Sequence, residues 1–186
     1  MKVRMLPLAL AAALGVTGPS AFAAVNGSGE VRFEGTITDT GCPIEIVNPS
    51  LGSPNAPIQL GDDINKKLFK AAGDTAGFGE FALRINPGAD CVVNPGDEIQ
   101  ITFQGAYGAT TRNNFSLEPN GATGLGLALH YKTTGAQVKH NVPLTDIAVS
   151  NTAPTVIPFT VNYEAEGAAV TVGRANSKIT FVVAPN

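Results

Sequence analysis

The sequence predicts an all-β sandwich, on three observations. Apolar and polar residues alternate along many short segments, which is the two-residue period of strands with one buried face. The chain holds 21 glycines and 13 prolines, and turn dipeptides built from them separate these segments. Helical spacing is confined to Ile64, Leu68 and Phe69 within residues 62–72, a stretch short enough to be a loop instead.

The first residues have the features of a secretion signal. Lys2 and Arg4 give a positive start, an apolar run follows, and residues 21–23 (AFA) fit a cleavage site. We therefore expect residues 1–23 to be removed and the mature chain to begin at Ala24. The alternative, an N-terminal membrane anchor, is disfavoured because the apolar run is too short to span a bilayer permanently.

The mature chain opens with an alternating segment at residues 24–35, AVNGSGEVRFEG. From Val25 to Glu34 its even positions are polar, and its odd positions are apolar or glycine: Val25, Gly27, Gly29, Val31 and Phe33. This pattern predicts a strand with one buried face. Two glycines on that face make it weak by itself, so it needs a partner.

Further strands are predicted along the rest of the chain. They comprise residues 35–46, 78–85, 98–103, 125–131, 137–142, 156–163 and 177–184. The last of them has Ile179, Phe181 and Val183 in phase. Residues 48–57, rich in Pro, Asn and Ser, predict a surface loop. Evenly spaced short strands indicate one sandwich domain, and the mature length suits a single core.

The two cysteines, Cys42 and Cys91, indicate one disulfide. An even cysteine count behind an export signal favours oxidation, and two free buried thiols are the less favoured alternative. The bond would close a loop of about 50 residues, which the chain-entropy model values at roughly 4 kcal/mol.

Composition and motifs argue against catalysis and against nucleic acid. Without Lys2 and Arg4 the chain has a net charge near −5 and no basic stripe, which disfavours nucleic acid and anionic membranes as partners. His130 and His140 are far apart and are both expected to face solvent. The sequence therefore predicts no enzyme activity, no metal site and no cofactor. Asn26 and Asn114 each begin a glycosylation triplet, a motif short enough to occur by chance.

Three blocks of sequence carry a family resemblance. VNGSGEVRFEG followed by GTI, with Cys42 seven residues after Gly35, resembles the start of a chaperone–usher pilin of the type 1 fimbrial major subunit family. The position of Cys91 after a strand, and PFTVNYEAEG followed by AVTVGRANSKITFVV, also match that family. Together the blocks span essentially the whole mature chain.

The resemblance implies an incomplete immunoglobulin-like β-sandwich that is completed by a donor strand. Residues 24–35 would be the donor extension and residues 36–186 the pilin domain. The donor set would be Val25, Gly27, Gly29, Val31 and Phe33, with Gly27 or Gly29 at a position that needs a small residue. Residues 25–33 would have no partner in their own subunit, because they enter the groove of a neighbour. The acceptor groove would include Ile179, Phe181 and Val183.

The resemblance also implies partners and a location. A periplasmic chaperone would fill the groove during secretion, and at the outer-membrane usher the extension of the next copy would replace it. The product would be a pilus on the cell surface. The family commonly has a tyrosine at the second-last position, where this chain has Pro185, which puts one chaperone contact in doubt. A minor fimbrial adaptor, or a secreted β-sandwich binding module, is the alternative function.

Overall fold

The structure, a computed structural model, describes residues 28–35, 42–48, 57–88 and 91–186, the first of these ranges by its backbone. Within these ranges the chain forms eleven strands and one 3₁₀ turn at Lys66–Leu68. The strands are β1 (Ser28–Gly35), β2 (Ile44–Val47), β3 (Ile58–Asp62), β4 (Thr75–Ile85), β5 (Glu98–Gly105), β6 (Phe115–Ser116), β7 (Leu125–Tyr131), β8 (Ala136–Val138), β9 (Pro143–Ala148), β10 (Thr155–Ala165) and β11 (Ser177–Pro185). The expected signal, residues 1–23, lies outside the described part of the chain.

The strands form two sheets. One sheet has the order β3-β1-β11-β5-β9, and the other has the order β2-β4-β10-β7-β6 with β8 paired to β7. Strand pairs are antiparallel except β1 with β11, which run parallel. The predicted all-β sandwich is thereby confirmed. No helix of the described ranges is long and apolar enough to cross a membrane.

Alternating side chains from both sheets fill one core. In β10 every second residue from Ile157 to Ala165 is buried, as the alternation at 156–163 predicts. The ring of Phe103 in β5 meets the ring of Phe159 in β10 edge to face, with centroids 5.1 Å apart. This contact joins the two sheets at the centre of the sandwich, a geometry that aromatic pairs favour.

Most predicted strands are present, with two differences. The predicted strand at 137–142 is β8 followed by a turn, because Asn141 has a left-handed φ of 58° and Val142 donates its N–H back to the carbonyl of Lys139. The helical stretch at 62–72 is reduced to the 3₁₀ turn, whose N–H at Lys67 is capped by the Asn65 side chain. Of the predicted strand at 35–46, residues 36–41 lie outside the described residues.

The disulfide joins Cys42 and Cys91, as the sequence predicts. Their Cα atoms are 4.5 Å apart, and the bond spans 49 positions of sequence. Cys42 lies just before β2, and Cys91 follows the turn after β4, where its backbone pairs with Gly88. The bond therefore fixes the chain two residues before β2, close to where β2 pairs with the end of β4.

Candidate functional site

Strand β1 occupies the position between β11 and β3. Its backbone runs parallel to β11, with Val31 opposite Ser177, Phe33 opposite Ile179 and Gly35 opposite Phe181. On its other side it runs antiparallel to β3, with Val31 opposite Ile58. The expectation that residues 25–33 have no partner in their own chain is therefore wrong for residues 28–33. The chain fills this position of the sheet with its own N-terminal strand.

Strand β11 forms one wall of this position. Ile179 and Phe181 point into the core with 0% and 7% exposure, and Val183 packs partly against it. Val182, between them, faces outward and is 53% exposed. The far edge of β11 is paired to β5 along seven consecutive residues, from Ile179 to Pro185. β11 is thus held firmly by β5 and offers its other edge to β1.

Strand β3 forms the second wall, and it is absent from the strands predicted from the sequence. Ile58 and Leu60 are buried, with 1% and 2% exposure, while Gln59 between them is exposed. Among the described strands, β3 has β1 as its partner in the sheet. The alternation Ile58-Gln59-Leu60 after Pro57 was the available signal, but three residues beside a proline-rich stretch also fit a loop.

The described donor positions are paired in register with buried positions of the walls. Val31 and Phe33 are the register partners of Ser177 and Ile179, which are both fully buried. Gly29 falls in a β-bulge, between the pairs formed by Ser28 and Glu30 with β3. Val25 and Gly27 lie outside the described residues.

The position of β1 defines what this site can do. Without β1, the edge of β11 and both edges of β3 would present unpaired N–H and C=O groups, and buried apolar residues of both strands would lose cover. An extended segment of any chain with matching alternation can satisfy both walls, which is binding by strand addition. The chemistry is non-covalent: backbone hydrogen bonds and apolar burial.

The ring of His140 is held by contacts with residues distant in sequence. His140 is half-buried, accepts a hydrogen bond at Nδ1 from the Gly105 N–H over 3.0 Å, and packs its ring edge-on against Phe115. The expectation that His140 faces solvent is therefore wrong, because a contact with β5, distant in sequence, determines its orientation. The described residues hold no group of three or more His, Cys, Asp or Glu that could bind a metal.

Asn114 is buried and cannot carry a glycan in this fold. Its side chain donates to Glu166 over 3.0 Å and accepts from Gln137 over 2.9 Å. Partial burial by itself would raise the pKa of Glu166, but hydrogen bonds from Thr110, Asn114 and Thr111 outweigh it. The net pKa of Glu166 is therefore lowered, and its carboxylate is a charged anchor at this end of the sandwich.

Tyr163 joins β10 to the segment before β11. It is 2% exposed, and its hydroxyl donates to the carbonyl of Ala175 over 2.7 Å. Burial raises its pKa well above the ordinary tyrosine value. This hydrogen bond helps to fix where β11 begins, two residues after Ala175.

Comparison with known proteins gives relatives along nearly the whole chain. The sequence is 31% identical to "Long polar fimbria protein A" of Salmonella typhimurium over 171 residues, which cover 91% of this chain and 90% of the relative. It is 29% identical to "Type-1 fimbrial protein, A chain" of Escherichia coli K12 over 98% of both chains. None of the family models compared with the chain matches it.

The fold has solved counterparts as well. A subunit from the work titled "Structure of a Chaperone-Usher pilus reveals the molecular basis of rod uncoiling" superposes with a TM-score of 0.59 at 20% identity, covering 86% of this chain and 96% of that one. The immunoglobulin-like sandwich expected from the resemblance is thus confirmed. The extent and identity of the sequence match show that the chain belongs to the family of fimbrial subunits that includes the long polar and type 1 fimbrial proteins.

Proposed function

We propose that this chain is the repeating subunit of a chaperone–usher pilus on the cell surface, and that its copies join by exchange of the N-terminal strand. Residues 24–35 act as the donor extension, and residues 36–186 act as the acceptor domain. Val25, Gly27, Gly29, Val31 and Phe33 are the donor positions. Ile179, Phe181 and Val183, with β3 opposite, line the groove that receives them.

One observation carries the proposal. β1 is the first of the described strands and lies between β3 and β11, which are not paired to each other. A terminal strand can leave such a position without unthreading any other element. The same position in a second copy presents an identical pair of walls, so head-to-tail exchange repeats without closing and produces a filament.

The self-paired strand makes a chaperone necessary. A strand tethered close to its own groove has an effective concentration of about the millimolar range. A strand from another subunit at micromolar concentration would therefore lose the competition about a thousandfold, all contacts being equal. A periplasmic chaperone that holds the groove from the time of secretion, and an usher that presents the next subunit, remove this disadvantage.

The alternative is a minor fimbrial adaptor or a secreted β-sandwich binding module. The observation in its favour is the sandwich completed by its own β1, which would be stable as a monomer. The two functions differ in whether the N-terminal strand ever leaves its own chain, and this can be measured.

The test uses the surface protein and one matched pair of variants. Exchange predicts that purified surface material heated mildly in detergent gives a ladder of oligomers, which collapses to monomer only in strong denaturant. Phe33→Asp should cap filaments when co-expressed with wild type, because such a subunit can accept a strand but cannot donate one. Arg32→Ser, whose register partner is the half-exposed Lys178, should leave filament length unchanged. Monomer under mild conditions, or equal filaments from both variants, would refute exchange.

A further inference from the structure

The inward-facing residues of β4 are large at one end of the strand and glycines at the other. Towards its C-terminal end the inward positions are large and buried: Phe81, Leu83 and Ile85. Towards its N-terminal end the corresponding positions are Gly77 and Gly79. Gly77 lies in a bulge, where the register with β10 shifts, and its φ of 71° is in the left-handed region that favours glycine.

Strand β3 lies directly on these glycines. A Cβ atom added at Gly79 would be 2.6 Å from Cδ2 of Leu60 and 2.8 Å from Cγ2 of Ile58. A Cβ atom added at Gly77 would be 2.8 Å from the backbone oxygen of Leu60. Elsewhere two layers of side chains separate the sheets by about 10 Å. Here the side chains of β3, and at Gly77 its backbone, reach the bare backbone of β4.

The attachment of β3 to its own sheet depends on β1. Among the described strands β3 pairs with β1 alone, so departure of β1 removes its backbone partner. An empty groove must keep β11 and β3 two strand spacings apart, about 9.6 Å, to admit a strand between them. If β3 moved inward to pair with β11, the groove would close and the donor position would be lost.

We propose, building on the donor-strand function above, that Gly77 and Gly79 are positioning residues that hold β3 in place while the groove is empty. Ile58 and Leu60 fill the recess that the two glycines leave, and this packing is independent of β1. The recess fixes β3 from the opposite sheet, so both walls stay at the separation that an incoming strand requires. The glycines act on the groove through β3.

The test measures how fast an empty groove takes up a strand. The full-length Phe33→Asp chain, whose own strand is disabled, is mixed with a fluorescent synthetic peptide of residues 24–35, and binding is followed by anisotropy. Gly79→Ala is compared with Gly88→Ala, where an added Cβ meets nothing within 4 Å. If Phe33→Asp does not fold, Phe33→Ser serves as the background.

The expected result is specific to association. Gly79→Ala should slow peptide association by about tenfold, because the added carbon displaces β3 from its packed position and fewer empty grooves have the width that the peptide needs. The dissociation rate should stay nearly unchanged. Gly88→Ala should leave both rates unchanged. Equal association rates in the two variants, or an effect of Gly79→Ala on dissociation alone, would overturn the proposal. Failure of all the chains, including the background, to bind peptide would instead refute the donor-strand function.

Discussion

Removal of the Cys42–Cys91 disulfide should cost this domain about a quarter or more of its stability. The bond closes a loop across 49 positions, and the chain-entropy relation for a loop of that size gives about 4 kcal/mol at 25 °C. Domains of ordinary stability have about 5–15 kcal/mol in total, so the loss is large but leaves many such domains folded.

The assay is equilibrium unfolding of the double variant Cys42→Ala/Cys91→Ala in guanidinium chloride. With a denaturant slope of about 4 kcal/mol per molar, typical for a domain of this size, the midpoint should fall by about 1 M. Val92→Ala is the matched control, because Val92 adjoins Cys91 but is 79% exposed, and its midpoint should stay within about 0.1 M of wild type.

A midpoint shift of less than about 0.3 M in the double variant, with an unchanged slope, would refute this reasoning. It would mean that residual structure already restricts the unfolded chain, or that the native bond is strained by a comparable amount. A smaller slope in the variant would point to a more compact unfolded state, which is a different explanation and is separable from the same data.

Three further predictions concern β11 and two titrating groups. Phe181→Ala should lower the free energy of unfolding by about 3–5 kcal/mol in urea titrations, whereas Val182→Ala, at the exposed position beside it, should cost less than about 0.5 kcal/mol. Because the folded pKa of Tyr163 is raised, its contribution to the free energy of unfolding is complete below the unfolded pKa near 10. This contribution is lost as pH rises above 10 and through the folded pKa. Tyr163→Phe should therefore flatten the alkaline limb of stability measured by thermal melts, and an unchanged limb would contradict this. Because the folded pKa of Glu166 is lowered, its contribution to the free energy of unfolding is present above the unfolded pKa of 4.5 and is lost as pH falls. Glu166→Gln should therefore reduce the acid dependence of the melting temperature. An acid profile identical to that of wild type would exclude the anchor role.

Local alternation was enough to predict the strands that face a common core. The inward set Ile179 and Phe181 of β11, and the inward set of β10, follow from a period of two without knowledge of their neighbours. The disulfide partners follow from count and compartment. The buried faces of these strands depend on a short-range pattern, and the disulfide depends on there being two cysteines in an exported chain. Both can be obtained from a single sequence.

Features that depend on distant contacts could not be predicted in the same way. β3 is a strand because β1 pairs beside it and two glycines of β4 lie beneath it, and neither partner is visible in its own five residues. His140 looks solvent-facing beside Lys139, yet the N–H of Gly105 in β5 orients its ring.

The direction of β1 does not by itself favour exchange. In its own chain β1 runs parallel to β11 and antiparallel to β3. A strand that entered the same groove in the opposite direction would be antiparallel to β11 and parallel to β3, so one kind of pairing would be exchanged for the other. Antiparallel pairing is slightly more stable per residue, but the gain at one wall is offset by a loss at the other. Both grooves have the same sequence, so the advantage of a neighbour's strand must come from the chaperone and usher that keep the chain's own strand out of its groove.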